Sequence, residues 1–167
     1  AEVISYDSFA SFGESLGFKL EKASTFATYT GYALLAGYVL GIILIPKYIS
    51  QRKALLSMVL LSMMLVLLAI FTKGMTAVAC FALLGFSNAV MWPAIWPLAI
   101  EGLGKFTKTG AALLIMGIVG GALLPLLYGE ISKAMGSRQQ GYWLLIPCYL
   151  YILYYATLGY KAGFKKA

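Results

Sequence analysis

The longest uncharged stretch of the chain fixes the class of fold. Residues 74–100 form a run of 27 residues without a charged side chain, bounded by Lys73 and Glu101. As a helix that rises about 1.5 Å per residue, this run measures roughly 40 Å, whereas the hydrocarbon core of a bilayer is about 30 Å thick. We therefore predict a membrane-spanning helix at this position.

The composition of the whole chain agrees with a membrane protein. Hydrophobic residues make up 61% of it and charged residues 11%, and the mean hydropathy is +0.84; soluble domains average about 25% charged residues. The basic residues behind the net charge of +7 are scattered between apolar runs, which argues against a nucleic-acid partner. The chain contains no histidine, so we expect neither a metal site of the usual kind nor a cofactor. The sequence predicts an all-α integral membrane protein.

Apolar runs separated by short polar loops predict six membrane segments. The first of them is too short and too acidic to be a whole span, so we expect the end of a helix that is truncated at its start. Glycines in the second and fifth segments predict close approach of neighbouring helices, at Gly31, Gly37 and Gly41 and at Gly117, Gly120 and Gly121. The predicted segments are residues 1–18, 23–46, 54–72, 74–100, 109–129 and 140–160.

The fourth segment carries polar and aromatic side chains that a lipid-facing helix does not need. Asn88, Trp92 and Trp96 follow at four-residue spacing, so they share one side of the helix. An amide can donate to and accept from sugar hydroxyls, and an indole ring can lie flat against the apolar face of a pyranose. This combination predicts a sugar-binding face.

Two prolines interrupt the same segment. Pro93 and Pro97 each remove a backbone donor, which leaves a carbonyl without its usual partner four residues back. In hydrocarbon such a carbonyl needs a neighbouring helix, a side chain or water. We therefore expect a broken helix inside a bundle, beside a wet cavity.

A second interpretation of these side chains stays open at this point. Tryptophan is common at membrane interfaces, and an asparagine can simply hydrogen-bond two helices together. Under that interpretation Asn88, Trp92 and Trp96 are packing and interface residues.

Residues 86–129, FSNAVMWPAIWPLAIEGLGKFTKTGAALLIMGIVGGALLPLLYG, resemble a known family of membrane proteins. They are similar to the C-terminal half of sugar transporters in the fucose permease and glucose/galactose transporter branch of the major facilitator superfamily. A weaker likeness extends over the rest of the chain, including residues 43–56 and 142–156. The resemblance implies twelve helices in two six-helix halves, with this chain as helices seven to twelve and a missing N-terminal six-helix half as its partner.

The resemblance also implies a function and further site residues. The expected function is secondary active transport of fucose, galactose or glucose, with a proton as the coupling ion, by alternating access in the bacterial inner membrane. If the first segment ends near Gly17, Glu2 lies about 20 Å inside it, where an ionisable group is a functional candidate. Tyr6 lies one turn on from Glu2 and could bond a substrate hydroxyl. The alternative is that Glu2 is a solvated chain end. In the family, the proton-titrating carboxylates belong mainly to the N-terminal half.

The distribution of Lys and Arg predicts the orientation of the chain. Five lie on one side, Lys19, Lys22, Lys73, Lys133 and Arg138; eight lie on the other, Lys47, Arg52, Lys53, Lys105, Lys108, Lys161, Lys165 and Lys166. The positive-inside rule then puts the C-terminus in the cytoplasm.

Two other classes of function remain as alternatives. A membrane-embedded enzyme such as a lipid-modifying transferase needs a nucleophile, an acid/base pair or a metal cluster, and no such motif is recognisable in the sequence. A membrane scaffold or assembly subunit without transport activity is compatible with the glycine-rich segments, but leaves Asn88 and Trp92 unexplained.

Overall fold

All regular structure in the part of the chain that is described is helical. The structure, a computed structural model, describes residues 1–161, so Lys165 and Lys166 of the orientation count lie outside it. Short 3-10 helices at Gly104–Phe106, Gly117–Val119, Tyr142–Leu144 and Gly159–Lys161 adjoin the α-helices. The α-helices are α1 Glu2–Asp7, α2 Phe9–Ser15, α3 Leu20–Leu44, α4 Gln51–Phe71, α5 Gly74–Ile100, α6 Thr107–Met116, α7 Gly120–Ala134, α8 Arg138–Gly141 and α9 Leu145–Thr157.

Several of these elements join into longer rods. Ser8, between α1 and α2, keeps helical dihedral angles, donates its N–H to the Ile4 carbonyl and accepts from the N–H of Phe12. The residues between α6 and α7 form a 3-10 turn, so helical structure runs on to Ala134. Four stretches are long and apolar enough to cross a membrane: Glu21–Leu44, Gln51–Phe71, Gly74–Ile100 and Gly104–Ala134.

α5 lies at the centre of the bundle and packs most extensively against α3 and α4. At one end of the bundle, Phe81 of α5 lies in a cluster of fully buried aromatic rings. Its ring centroid is 5.1 Å from those of Phe9 and Phe12 and 4.2 Å from that of Tyr142. Such pairs add roughly 0.5–1.5 kcal/mol each beyond simple burial. The cluster therefore fixes α2 and the start of the last helical segment against α5.

Glycines allow the backbones of α3 and α5 to touch. A Cβ on Gly37 would lie 2.5 Å from the carbonyl oxygen of Phe86, and one on Gly85 would lie 2.6 Å from that of Thr30. No side chain fits between the helices at these two levels. The predicted close approach is thus found at Gly37.

The glycines of the fifth predicted segment behave differently. Within the described residues, nothing lies within 4 Å of a Cβ on Gly117 or Gly120, and only the Val3 side chain approaches Gly121. Within residues 1–161, the expected close approach of a helix at Gly117 and Gly120 is therefore not found. The reason is that α6 has no buried residue and shows its apolar side chains to the outside.

Both ends of α4 are tied to the last helical segments. The side-chain amide of Gln139 donates to the carbonyls of Ala69 and Thr72 at 2.7 and 2.6 Å, where α4 ends. At the other end, Nε of Arg52 donates to the Ala156 carbonyl at 3.2 Å, and the Arg52 guanidinium lies 4.8 Å from the Tyr160 ring centroid. These contacts satisfy carbonyls that a helix end leaves without partners.

Candidate functional site

α5 continues as a helix through both prolines and ends only at Ile100. The expected break at Pro93 and Pro97 is therefore wrong. Proline fixes the backbone angle φ at a value that a helix also uses, so the helix can continue through it. Each proline lacks the N–H that would donate to the carbonyl four residues before it. Packing against α3 and α4 holds this helix from both sides.

Asn88 lies near the middle of α5 and points into the bundle. Its side chain is 3% exposed. Nδ2 donates to Oγ of Ser5 at 3.2 Å, and Oδ1 accepts from the hydroxyl of Tyr149 at 2.9 Å. Asn88 thus joins α1, α5 and α9, and one N–H and one lone pair of its amide remain beyond these two bonds.

Trp92 and Trp96 lie one and two turns beyond Asn88. Their ring centroids are 5.8 Å apart, with the planes tilted by 60°. Trp92 is 37% exposed, and Trp96 is partly buried. Part of the Trp92 side chain is therefore accessible on this side of α5, and a stacking contact with a sugar needs an accessible indole.

Glu2 and Tyr6 lie on α1. Glu2 is half-buried, and its Oε1 accepts a long hydrogen bond of 3.5 Å from the hydroxyl of Tyr38 on α3. Tyr6 is 47% exposed. Glu2 thus contacts α3, whereas Tyr6 faces outward from the packed bundle.

These contacts form a row of polar groups across the bundle, which we call the transverse chain: Tyr38, Glu2, Ser5, Asn88 and Tyr149. Glu2 and Ser5 are joined within α1, because the hydroxyl of Ser5 donates to the backbone carbonyl of Glu2 at 2.7 Å. Polar groups buried in a bundle need such partners, because an unpaired one costs free energy. The transverse chain of polar groups connects α3, α1, α5 and α9.

Three members of the transverse chain are not singled out by the sequence. Ser5 is one of several serines in the first segment, and Tyr38 and Tyr149 are two of 12 tyrosines in the protein. The spacing of Ser5, three residues after Glu2, is the one local signal that could have linked it to a predicted site residue. Tyr38 and Tyr149 follow only from how the helices pack.

A cavity of about 280 Å³ lies between α3 and α5, next to Glu2's partner Tyr38. Polar groups on its wall are the side chains of Tyr38 and Gln51 and the backbone of Ala89, whose carbonyl has no donor four residues on because Pro93 lacks an N–H. A larger cavity of about 440 Å³ lies at the ends of α2 and α7. None of the predicted site residues lines either cavity. The cavity beside Tyr38 is lined by Gly37, Tyr38, Gly41, Ile42, Ile45, Pro46, Gln51, Ala89, Val90 and Pro93.

Comparison with known proteins identifies relatives of one kind. The chain is 32% identical over 155 residues to a putative glucose/galactose transporter of Helicobacter pylori, which is 90% of this chain and 38% of that protein. It is 34% identical over 116 residues to the glucose/galactose transporter of Brucella abortus, which is 70% of this chain and 28% of that protein. The chain is homologous to part of these sugar transporters. The L-fucose-proton symporter of Escherichia coli is 27% identical over 80% of this chain and 30% of its own length.

The fold leads to the same group of proteins. A crystal structure of the fucose:proton symporter of Escherichia coli matches 92% of this chain and 38% of its own chain, with a TM-score of 0.86 and 24% identity. A structure of this major facilitator superfamily transporter in the outward conformation matches with a TM-score of 0.87, over 37% of that chain. No protein-family model matches the chain. The chain therefore has the fold of part of a major facilitator transporter. It spans less than two fifths of the length of these relatives. Its homologues are transporters rather than enzymes.

Proposed function

We propose that this chain is part of a secondary active transporter that moves a monosaccharide together with a proton across the bacterial inner membrane. The observation that carries the proposal is the 32–34% identity to glucose/galactose transporters over 70–90% of the chain. Fucose, galactose and glucose are the candidate sugars, and the likeness to L-fucose-proton symporters supports the proton as coupling ion.

In this proposal the chain is the C-terminal half of a twelve-helix transporter, and its helical segments are helices seven to twelve. The other half supplies the opposite wall of the site, and alternating access comes from rocking of the two halves. Large exposed apolar side chains on α3 and along α6 and α7 support this, because such surfaces need lipid or protein to cover them. The excess of Lys and Arg on the side of the α3–α4 loop supports a cytoplasmic C-terminus.

The proposed sugar contacts are Asn88, Trp92, Trp96, Glu2 and Tyr6. Trp92 offers its partly exposed indole to the apolar side of a pyranose, and the ring of Trp96 lies beside it with its centroid 5.8 Å away. Asn88 contributes from inside the bundle, through the amide groups that Ser5 and Tyr149 leave unused. Glu2 and Tyr6 extend the polar surface along α1 and can bond sugar hydroxyls.

The test uses the full-length gene product in proteoliposomes. Uptake of labelled fucose, galactose and glucose is measured with and without an inward proton gradient. Gradient-driven accumulation of one of these sugars supports the proposal. Absence of uptake of all three, by protein that elutes as a folded species in detergent, refutes sugar transport; uptake that ignores the gradient refutes proton coupling.

A further inference from the structure

Glu2 is a carboxylate to which no lysine or arginine side chain is paired within residues 1–161. We propose that Glu2 is a proton-coupling residue of the transport cycle, that the 280 Å³ cavity between α3 and α5 admits the sugar, and that Tyr38 couples the protonation state of Glu2 to this cavity. The inference rests on the proposed function, and it places a coupling group in this half of the protein in addition to any in the other half.

The level of Glu2 in the bundle follows from its neighbours. Ser5, less than one turn from Glu2, is hydrogen-bonded to Asn88, which lies near the middle of α5. Because α5 is long enough to cross a bilayer, Glu2 lies deep in the membrane-spanning part of the bundle rather than at an interface. Ionisable groups at this depth are rare and mark proton or substrate pathways.

The helices around α1 bring no basic side chain to Glu2. α1 contacts α2, α3, α5 and α7. α5 carries no charged residue, and the charged residues of α3 lie in its first turn, far from Tyr38. On α7, Glu130 and Lys133 pair with each other at 2.8 Å, and this is the one salt bridge among residues 1–161. Among residues 1–161, the remaining titratable groups near Glu2 are the hydroxyls of Tyr38 and Tyr149.

On α1 and α2 themselves, the other carboxylates lie elsewhere. Asp7 is exposed at the end of α1, and Glu14 is exposed near the end of α2. An ionised carboxylate without a basic side chain is costly away from water, whereas a neutral carboxyl costs much less. The protonation of Glu2 therefore responds to whether its surroundings are open to water on either side of the membrane.

Tyr38 links Glu2 to the 280 Å³ cavity. It donates a long hydrogen bond of 3.5 Å to Oε1 of Glu2 and also lines this cavity. While Glu2 is ionised, the single hydroxyl hydrogen of Tyr38 is used by the carboxylate. When Glu2 takes a proton from water, that hydrogen becomes free to bond a sugar oxygen in the cavity, so protonation favours sugar binding and sugar favours protonation. Return of the proton to water on the other side then releases the sugar.

The experiment compares two readouts on the full-length protein in proteoliposomes. One is accumulation of sugar driven by an inward proton gradient, and the other is exchange of labelled for unlabelled sugar at equal pH on both sides. We expect Glu2→Gln to lose gradient-driven accumulation while exchange stays measurable, because the Gln amide can still hydrogen-bond sugar hydroxyls but cannot take up and release a proton. We expect Tyr38→Phe to keep accumulation but to need a several-fold higher sugar concentration, and the control Glu14→Gln to match the wild type in both readouts.

Other outcomes overturn the inference. Wild-type accumulation by Glu2→Gln, loss of both readouts by folded Glu2→Gln, or the same loss in Glu14→Gln would each refute a coupling role. If Glu2→Gln fails to fold, Glu2→Asp replaces it: a shift in the pH midpoint of accumulation supports the inference, and an unchanged midpoint refutes it. A wild-type protein that exchanges no sugar refutes the proposed function itself, and the inference falls with it.

Discussion

The hydroxyl of Tyr149 donates a 2.9 Å hydrogen bond to Oδ1 of Asn88, and both side chains are buried. The last α-helix of the described chain is thereby fixed to the centre of α5. On its other side Asn88 is bonded to Ser5, so its orientation is set by two helices at once.

Replacing Tyr149 with Phe should lower the stability of the protein. The change keeps the ring but removes the donor to Asn88, and leaving a buried carbonyl oxygen unpaired costs about 1–3 kcal/mol. The readout is the thermal unfolding midpoint in detergent. The matched control is Tyr151→Phe, because Tyr151 is strongly exposed on the same helix. Equal midpoints for the two variants would contradict the role given to this bond.

Adding a methyl group where α3 and α5 touch should be harmful. Gly37→Ala and Gly85→Ala each put a Cβ against a backbone oxygen, and overpacking of this kind costs about 1–3 kcal/mol. Gly31→Ala on the same helix meets no atom within 4 Å and should leave the unfolding midpoint nearly unchanged. The measurement is the yield of folded protein and its unfolding midpoint. A Gly37→Ala protein as stable as Gly31→Ala would show that the helices are farther apart than described.

Trp92→Ala should weaken sugar binding. Loss of a stacking contact worth roughly 1 kcal/mol corresponds to a rise in the KM for uptake of about fivefold. Trp143→Ala is the control, because Trp143 is equally exposed but lies in the 3-10 turn at the start of the last helical segment. Unchanged kinetics in Trp92→Ala would favour the interpretation that Trp92 is a packing or interface residue.

Arg52 and Tyr160 should act together in holding α4 to the end of the last helical segment. The cation–π contact predicts a coupling of about 0.5–1 kcal/mol in a double-mutant cycle with Arg52→Gln and Tyr160→Leu. Unfolding midpoints of the wild type, both single variants and the double variant provide the measurement. Lys53→Gln, next to Arg52 but exposed and outside this contact, controls for the loss of charge. Strictly additive effects would rule out the contact.

Polar contacts between residues far apart in the sequence are the part of this structure that could not be predicted from the sequence. The uncharged run of residues 74–100 predicts helix α5 with the same first and last residues, because length and hydropathy dominate helix formation in lipid. The choice between close packing at Gly37 and open space at Gly117 depends on which helices become neighbours, and glycine spacing does not contain that information. The same holds for Asn88: its position predicts a polar role, but its partners Ser5 and Tyr149 lie 83 and 61 residues away.

The roles of the predicted site residues stay predictions until transport is measured. Trp92 is partly exposed whereas Asn88 lies deep in the bundle, a difference that their shared four-residue spacing did not reveal. A helical face is defined by backbone geometry alone, whereas exposure depends on the neighbouring helices.

The contact at Gly37 determines which parts of the neighbouring cavity can diversify. Gly37 and Ala89 belong to its wall, and a Cβ on Gly37 would collide with the main chain of α5, so the floor between the two helices is built from backbone. Substitutions cannot deepen such a floor without separating the helices. Changes in the size of this cavity during evolution are therefore expected at other residues that line it, such as Tyr38, Ile42 and Gln51.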